Sequence, residues 1–437
     1  TKTPEFDYSQ GDTNAYIHYE GKGGVLLDNP VKRLLYALKF SDYRIFLSGE
    51  ITGESRIMFN RSIQERVNTI APFLKYDGDP YLVIDEGKLF WILDAYTTSN
   101  RFPYAKPYGE INYMRNSVKV VVDAYEGTID FFLVDPSDPF ALTYANIFPG
   151  LFKPFEEMPA GLKEHLRYPE VYLHTQARIY ATFHMQDPVV FYNKEDLWNI
   201  PNEKYAGATQ AMEPYYTILQ LPGKTEPEFV LILPFTPGNR DNMIAWMAGR
   251  CDGENYGELL VYEFPKDKVI YGPMQIETRI DQNTLISQQL SLWDQKGSRV
   301  IRGNLLVLPV GDSILYVEPV FLEADQSQLP ELARVIVGFH EKVVMEPTLG
   351  EALISLFGSR ETPDPGVTND PEKTHELGTP GDPPALPATF PELAARAQQQ
   401  FEQAQEKMKE GDWAGYGKAL DELGKTLQEL NKASEGL

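Results

Sequence analysis

Apolar and polar positions alternate along this chain in short, strand-length runs more often than they recur at helical spacing. Tyr81–Asp85 (YLVID) and Leu89–Tyr96 (LFWILDAY) flank a turn at Glu86–Lys88, and Ser117–Val122 (SVKVVV) and Ile129–Val134 (IDFFLV) flank another near Glu126–Gly127. Runs of β-branched and aromatic residues bounded by Gly, Asp and Glu predict two hairpins. The pattern returns in Asn304–Leu308 (NLLVL), a turn at Gly311–Asp312 and Ile314–Val320, then in Arg334–Phe339, a turn near Glu341–Lys342 and Val343–Met345. Ahead of each set stands a segment that looks helical, Lys32–Ala37 (KRLLYA) and Asp241–Ala248 (DNMIAWMA). These lead to the short apolar runs Arg44–Leu47 and Glu258–Tyr262, and the sets close on Ile147–Phe152 and Ala352–Gly358. An order of elements that repeats at an offset of about 205–223 residues points to two copies of one unit. The expected fold class is α+β, with a β-rich duplicated unit and a cleft between the halves as the natural ligand site.

The halves are assigned to residues 1–152 and 229–358. Between them, 153–228 reads as a helical and aromatic insertion, with helices over Leu162–Arg167 and Glu170–Met185 and Pro169 suited to a helix start. Residues 359–391 form a proline-rich linker. Residues 392–437 form an αα-hairpin: Leu393, Ala397, Phe401, Ala404 and Met408 recur at helical spacing. After Asp412, so do Trp413, Tyr416, Leu420, Leu423, Leu427 and Leu430. Two helices cannot bury that seam alone, so the hairpin docks on the body, on a partner, or on another copy of itself.

Charge narrows the partners. Lys and Arg number 40 against 63 Asp and Glu, a net charge of −23, which disfavours nucleic acid and bare anionic lipid. Acidic loops such as Asp77–Asp79 and Asp135–Asp138 offer carboxylates of the type Ca²⁺ takes, although neither matches a twelve-residue calcium loop; turn chemistry explains both as well, and no cofactor is expected. The single cysteine, Cys251, excludes an internal disulfide framework and a CxxC metal site, and reads as a buried thiol. No apolar run approaches the roughly 20 residues that span a bilayer. No signal peptide is visible, and a start at Thr1 fits a part of a longer protein.

Catalytic signatures are not found: there is no GxSxG elbow, HExxH helix, P-loop or complete dinucleotide fingerprint. Gly21–Val25 (GKGGV) lacks the Lys-Ser/Thr of a phosphate loop. Of six histidines, His165, His174 and His184 fall in the insertion. The tract His184-Met185-Gln186-Asp187-Pro188 sets a histidine and a carboxylate near a helix end, where they serve as acid and base if they line a cleft. Arg167 and Arg178 nearby could grip an anion through forked guanidinium contacts. A bland reading competes: helix C-termini favour His, and Asp-Pro favours a turn. The candidate ligand-binding residues are His165, Arg167, Arg178, His184 and Asp187; no catalytic residue and no metal site is assigned.

Several stretches together carry a resemblance: Asn116–Pro139, Ile147–Phe152 (IFPGLF), His165–Glu170 (HLRYPE), Phe183–Trp198, Gly272–Asp281, Ile286–Val310, Tyr316–Pro319 (YVEP) and Gly411–Leu420. In these the chain resembles, over essentially its whole length, an uncharacterised protein family (UPF) of large bacterial multi-pass membrane proteins. The resemblance implies the soluble extracytoplasmic region that follows a block of transmembrane helices, which would be its first partner. It implies a cell-membrane location with this part outside the cytoplasm, and it brings no activity and no catalytic residues. The expected function is binding of an envelope component or a partner protein. The alternatives are an envelope hydrolase or transferase, and an accessory domain of a transporter.

Overall fold

The computed structural model describes residues 2–358, apart from 266, 296, 312 and 325–328. The linker and terminal hairpin expected at 359–437 lie outside the described residues. The chain opens with an antiparallel ribbon of β1 (Glu5–Gln10) and β2 (Thr13–Ile17), then β3 (Val25–Leu26). Helix α1 (Pro30–Lys39) follows, started by Pro30 and by Asn29, whose side chain accepts from the Lys32 N–H. After the single turn α2 (Arg44–Leu47), β4 (Arg56–Ile57) returns to pair with β3.

The body is three sheets built to one plan. In the first, α3 (Ile63–Ile70) precedes β5 (Lys75–Tyr76), β6 (Tyr81–Asp85), β7 (Lys88–Ser99), β8 (Tyr113–Asp123) and β9 (Ile129–Leu133), and α4 (Pro139–Ile147) follows. β6 forms a hairpin with the first half of the long strand β7, β5 pairs with its second half, and β8 and β9 continue the antiparallel meander. β10 (Phe152–Pro154) adds a parallel strand beside β9. A short helix α5 (Ala160–Lys163) leads to the second unit, with α6 (Glu170–Phe183), α7 (Pro188–Asn193), β11 (Trp198–Asn199), the inserted ribbon β12 (Asn202–Tyr205) and β13 (Ala208–Ala211), then β14 (Tyr215–Gln220), β15 (Pro227–Pro237), β16 (Ala245–Arg250), β17 (Leu259–Glu263) and α8 (Pro273–Gln282). Here β14 pairs with the first half of the long strand β15, β11 with its far end, and β16 and β17 follow. The third unit runs α9 (Thr284–Trp293), β18 (Ser298–Arg302), β19 (Leu306–Val310), β20 (Ser313–Ala324), β21 (Glu331–Phe339), β22 (Lys342–Glu346) and α10 (Leu349–Phe357), with the same pairing around β20.

The fold is α+β, as expected, and all four strand hairpins anticipated from the alternation pattern form. The proposed correspondence between flanking segments does not hold. Asp241–Ala248, expected to be helical like Lys32–Ala37, contains the start of β16, every residue of which is buried. A continuous apolar run carries no period that separates a helix from a strand covered on both faces. Arg44–Leu47 and Glu258–Tyr262 also differ, the first being α2 and the second falling in β17 from Leu259 onward. The strands β11 and β14, read as part of an insertion, pair into the sheet of β15. The largest core cluster spans the second and third units: Leu173 and Ala177 of α6, Phe235 of β15, Ile276 and Ile280 of α8, and Tyr316 and Ile336 of the last sheet.

Candidate functional site

The C-terminal end of α6 opens on a cavity of about 830 Å³. His184 caps this helix, its backbone N–H donating to Tyr180 O at 3.0 Å. Its ring Nδ1 lies 3.1 Å from the same carbonyl oxygen. A carbonyl only accepts, so this contact puts the proton on Nδ1. Among the described residues Nε2 then has no hydrogen-bond partner, although the side chain is only 6% exposed. The nearest carboxylate oxygen, Asp196 Oδ2, stands 3.8 Å away, beyond hydrogen-bond reach. Trp198 stacks on the imidazole with centroids 3.8 Å apart, and its Nε1–H is likewise buried without a partner. Pairing of Trp198 with Pro237 at the far end of β15 fixes this position, and Phe235 backs the indole at 5.4 Å. Met243, Phe264 and Val269 supply apolar wall, and Arg240, Lys268, Glu263, Asp187 and Asp196 supply charge.

Buried polar atoms in native proteins nearly always have partners, so two orphaned ring nitrogens on one cavity wall call for a ligand or water. In the outer units the first strand closes on the preceding helix. Tyr76 donates to Val67 O at 3.1 Å and Ala71 O at 2.9 Å, and Ser298 Oγ donates to Trp293 O. Trp198 leaves its donor unused.

Of the five residues singled out from sequence, only His184 and Asp187 line this cavity. Asp187 Oδ1 accepts from the N–H groups of Val189 and Val190 at 2.8 and 3.0 Å, capping α7. His165 is exposed, its Nδ1 bonded to Gly161 O at 2.7 Å. Arg167 lies at the junction of the first two sheets, its guanidinium 4.5 Å from the Tyr81 ring centroid and 5.6 Å from that of Tyr216. Arg178 is exposed on α6 and reaches Tyr108 Oη at 3.5 Å. The acidic loops are taken up in local bonds: Asp77 accepts from Tyr96 and from Asp79 N–H, Asp135 binds Arg115 at 2.9 Å, and Asp138 caps α4. Among the described residues, no group of three or more His, Cys, Asp or Glu is placed to hold a metal ion. In Gly21–Gly24, Gly23 serves close approach to the turn after β8, since a Cβ there would lie 2.3 Å from Glu126 O.

Two buried charge networks escaped the sequence reading. Lys119, fully buried on β8, donates to Asp94 and to Arg167 O at 2.9 Å beneath the Tyr256 ring. Between the second and third units Arg302 of β18 joins Glu277 and Asp281 of α8 and Glu318 of β20, with Nη2 2.8 Å from Glu318 Oε2 and Nη1 2.9 Å from Asp281 Oδ1. Burial, followed by the charge of Glu318, pushes the Glu277 carboxyl up to about 8.

The first 293 residues match the family described as Uncharacterised protein family (UPF0182). The chain belongs to this UPF0182 family. It is 54% identical over 431 residues to a UPF0182 protein of Pelotomaculum thermopropionicum, covering 98% of this chain and 46% of that protein. A relative in Geobacter sulfurreducens is 52% identical, with 98% and 47% covered, and one in Bradyrhizobium diazoefficiens 51%, with 99% and 46% covered. The UPF0182 chain therefore spans about half the length of the curated relatives it matches. No solved structure matches it. Among the described residues no helix is long and apolar enough to cross a membrane.

Proposed function

We propose that this UPF0182 chain is a binding module whose ligand enters the His184–Trp198 cavity, in the extracytoplasmic part of a bacterial membrane protein that recognises an envelope component. One observation carries the binding reading: a buried N–H donor and a buried ring nitrogen, both without partners, line one cavity of ligand size. They suit a ligand with an acceptor edge beside a donor edge and a flat apolar part to lie along Met243 and Phe264. The location rests on the family resemblance, and the unmatched half of the relatives' length leaves room for a membrane-embedded block. The shared pairing of the three sheets supports reading them as copies of one unit, with the middle copy adapted for binding.

A hydrolase or transferase built on the candidate residues would need His165, His184 and Asp187 with Arg167 or Arg178 in one concave site. Only His184 and Asp187 share a cavity, and Asp187 is engaged as a helix cap, which favours binding over chemistry.

Thermal-shift screening of the chain against glycerophosphates, amino sugars and short peptides tests the reading. A ligand at about 100 times its dissociation constant adds roughly 2.7 kcal/mol. The expected result is a saturable shift that His184→Ala and Trp198→Phe each weaken by about tenfold in affinity. A panel without any shift, or a shift both variants retain, overturns it.

A further inference from the structure

Helix α1 stands apart from the three sheets and turns an apolar stripe to solvent. Val31, Leu34, Leu35 and Leu38 fall on one helical face, and each is 46–68% exposed. The other side anchors the helix: Ala37 is buried, and Tyr36 packs on Phe59 with centroids 5.7 Å apart. The Asn29 cap is formed, so the stripe belongs to an ordered helix. The turn α2 packs alongside α1 and extends the patch with Tyr43 and Leu47, which are 72% and 70% exposed.

Charge around the stripe runs against that of the whole protein. Within 28–47 stand Lys32, Arg33, Lys39 and Arg44 against Asp28 and Asp42, a local excess of positive charge in a chain of net charge −23, with Arg44 paired to Asp42 at 2.9 Å. At 100° per residue Lys32 and Lys39 fall together along one border of the stripe. Lys32 is paired with Asp28 at 2.8 Å, and Lys39 lies 4.2 Å from the centroid of the Phe59 ring.

We propose that this face is a lipid-surface contact. The helix would lie in the plane of a bilayer interface with Val31, Leu34, Leu35 and Leu38 at the acyl boundary and the bordering lysines at lipid phosphates. Complementarity of charge favours lipid over a second copy of the chain, since two copies meeting on this stripe would bring the same basic borders together. Carboxylates elsewhere on the body oppose the contact weakly, because their field is screened over roughly 8 Å at physiological salt. The disfavour toward anionic lipid expected from net charge then applies to the body and not to this patch. The inference does not depend on the His184–Trp198 cavity.

Flotation of the full chain with vesicles of phosphatidylethanolamine and phosphatidylglycerol tests it. The chain is expected to float with the vesicles. Leu34→Glu with Leu38→Glu should cut the bound fraction about tenfold or more while leaving the melting temperature unchanged, because both side chains already face water. Lys32→Glu with Lys39→Glu should weaken flotation several-fold and remove its salt dependence, an independent check should the leucine variant fold poorly. A chain that stays in the lipid-free fraction overturns the proposal, as does equal flotation of both variants. Dimerisation without flotation, abolished by Leu34→Glu with Leu38→Glu, would make the face an interface between copies and overturn it too.

Discussion

Replacing Arg302 by Met removes the cation that Glu277 and Glu318 share. Both carboxylates are fully buried, and Arg302 makes a two-pronged contact with Glu318 while also meeting Glu277 and Asp281. Asp281 keeps Lys204 after the change, whereas Glu277 and Glu318 lose their counter-charge. Breaking one side of a buried ion pair costs about 3–5 kcal/mol, because the stranded charge has neither partner nor water. With an unfolding entropy of roughly 2.1 cal/mol/K per residue over the described body, a loss of about 4 kcal/mol lowers the melting temperature by roughly 5 °C. The penalty also depends on pH. Burial and the neighbouring Glu318 hold the Glu277 carboxyl at about 8, above its unfolded value of 4.5. The native state therefore binds this proton more tightly, and stability falls as pH rises from about 4.5 to about 8. Burial already raises the Glu318 carboxyl against the hydrogen bonds and charge of Arg302, and without Arg302 it shifts further toward its neutral form. The deficit of the variant should then grow from about pH 6 to about pH 8, by at most about 1.4 kcal/mol per pH unit for one added carboxylate. Urea unfolding of both proteins at the two pH values measures this. A loss under about 1 kcal/mol, or one equal at both pH values, would refute the reasoning.

Asp138→Ala should cost about 2–3 kcal/mol, since the carboxylate caps α4 and accepts from Thr97, Ser117 and Tyr113. Burial alone would raise this carboxyl, but those hydrogen bonds outweigh it and hold it below 3.8. Its contribution is present above that value and lost as pH falls through the lower native one, so the gap between wild type and variant should close in acid unfolding curves. Cys251 is buried, and burial pushes its thiol up to about 11. A maleimide probe should leave it unlabelled in the native protein and label it once urea unfolds the chain; rapid native labelling would show the thiol to be open.

Local pattern carried the hairpins. Alternation in Tyr81–Asp85 and Leu89–Tyr96, with Glu86 and Gly87 between them, needs no distant contact to specify an antiparallel ribbon, and both turn residues adopt positive φ. Pro169 before Glu170–Phe183 marked a helix start for the same reason, because caps and prolines act within one turn, whereas Asp187-Pro188, read as a turn, caps the short helix α7. His184 was marked as a helix-end residue, and it is one.

Trp198 shows where local pattern stops. Its pairing with Pro237, across 39 positions, follows from the register of β15, and that pairing carries the indole onto His184. Neither residue alone signals an orphaned nitrogen, since that property belongs to everything packed around the ring. Lys119 sits in a run, SVKVVV, whose alternation is the same for a solvated face; only the approach of Arg167 and Tyr256 buries it. The apolar start of β16, Ala245–Ala248, could be helix or strand until β15 and β17 covered its edges. Turns, caps and strand-length runs were legible in the linear order, because those depend on neighbours a few residues away. Tertiary structure decided which sheet each strand joined, which charges lost water and where the cavity opened, because burial is a sum over contacts that the linear order does not contain.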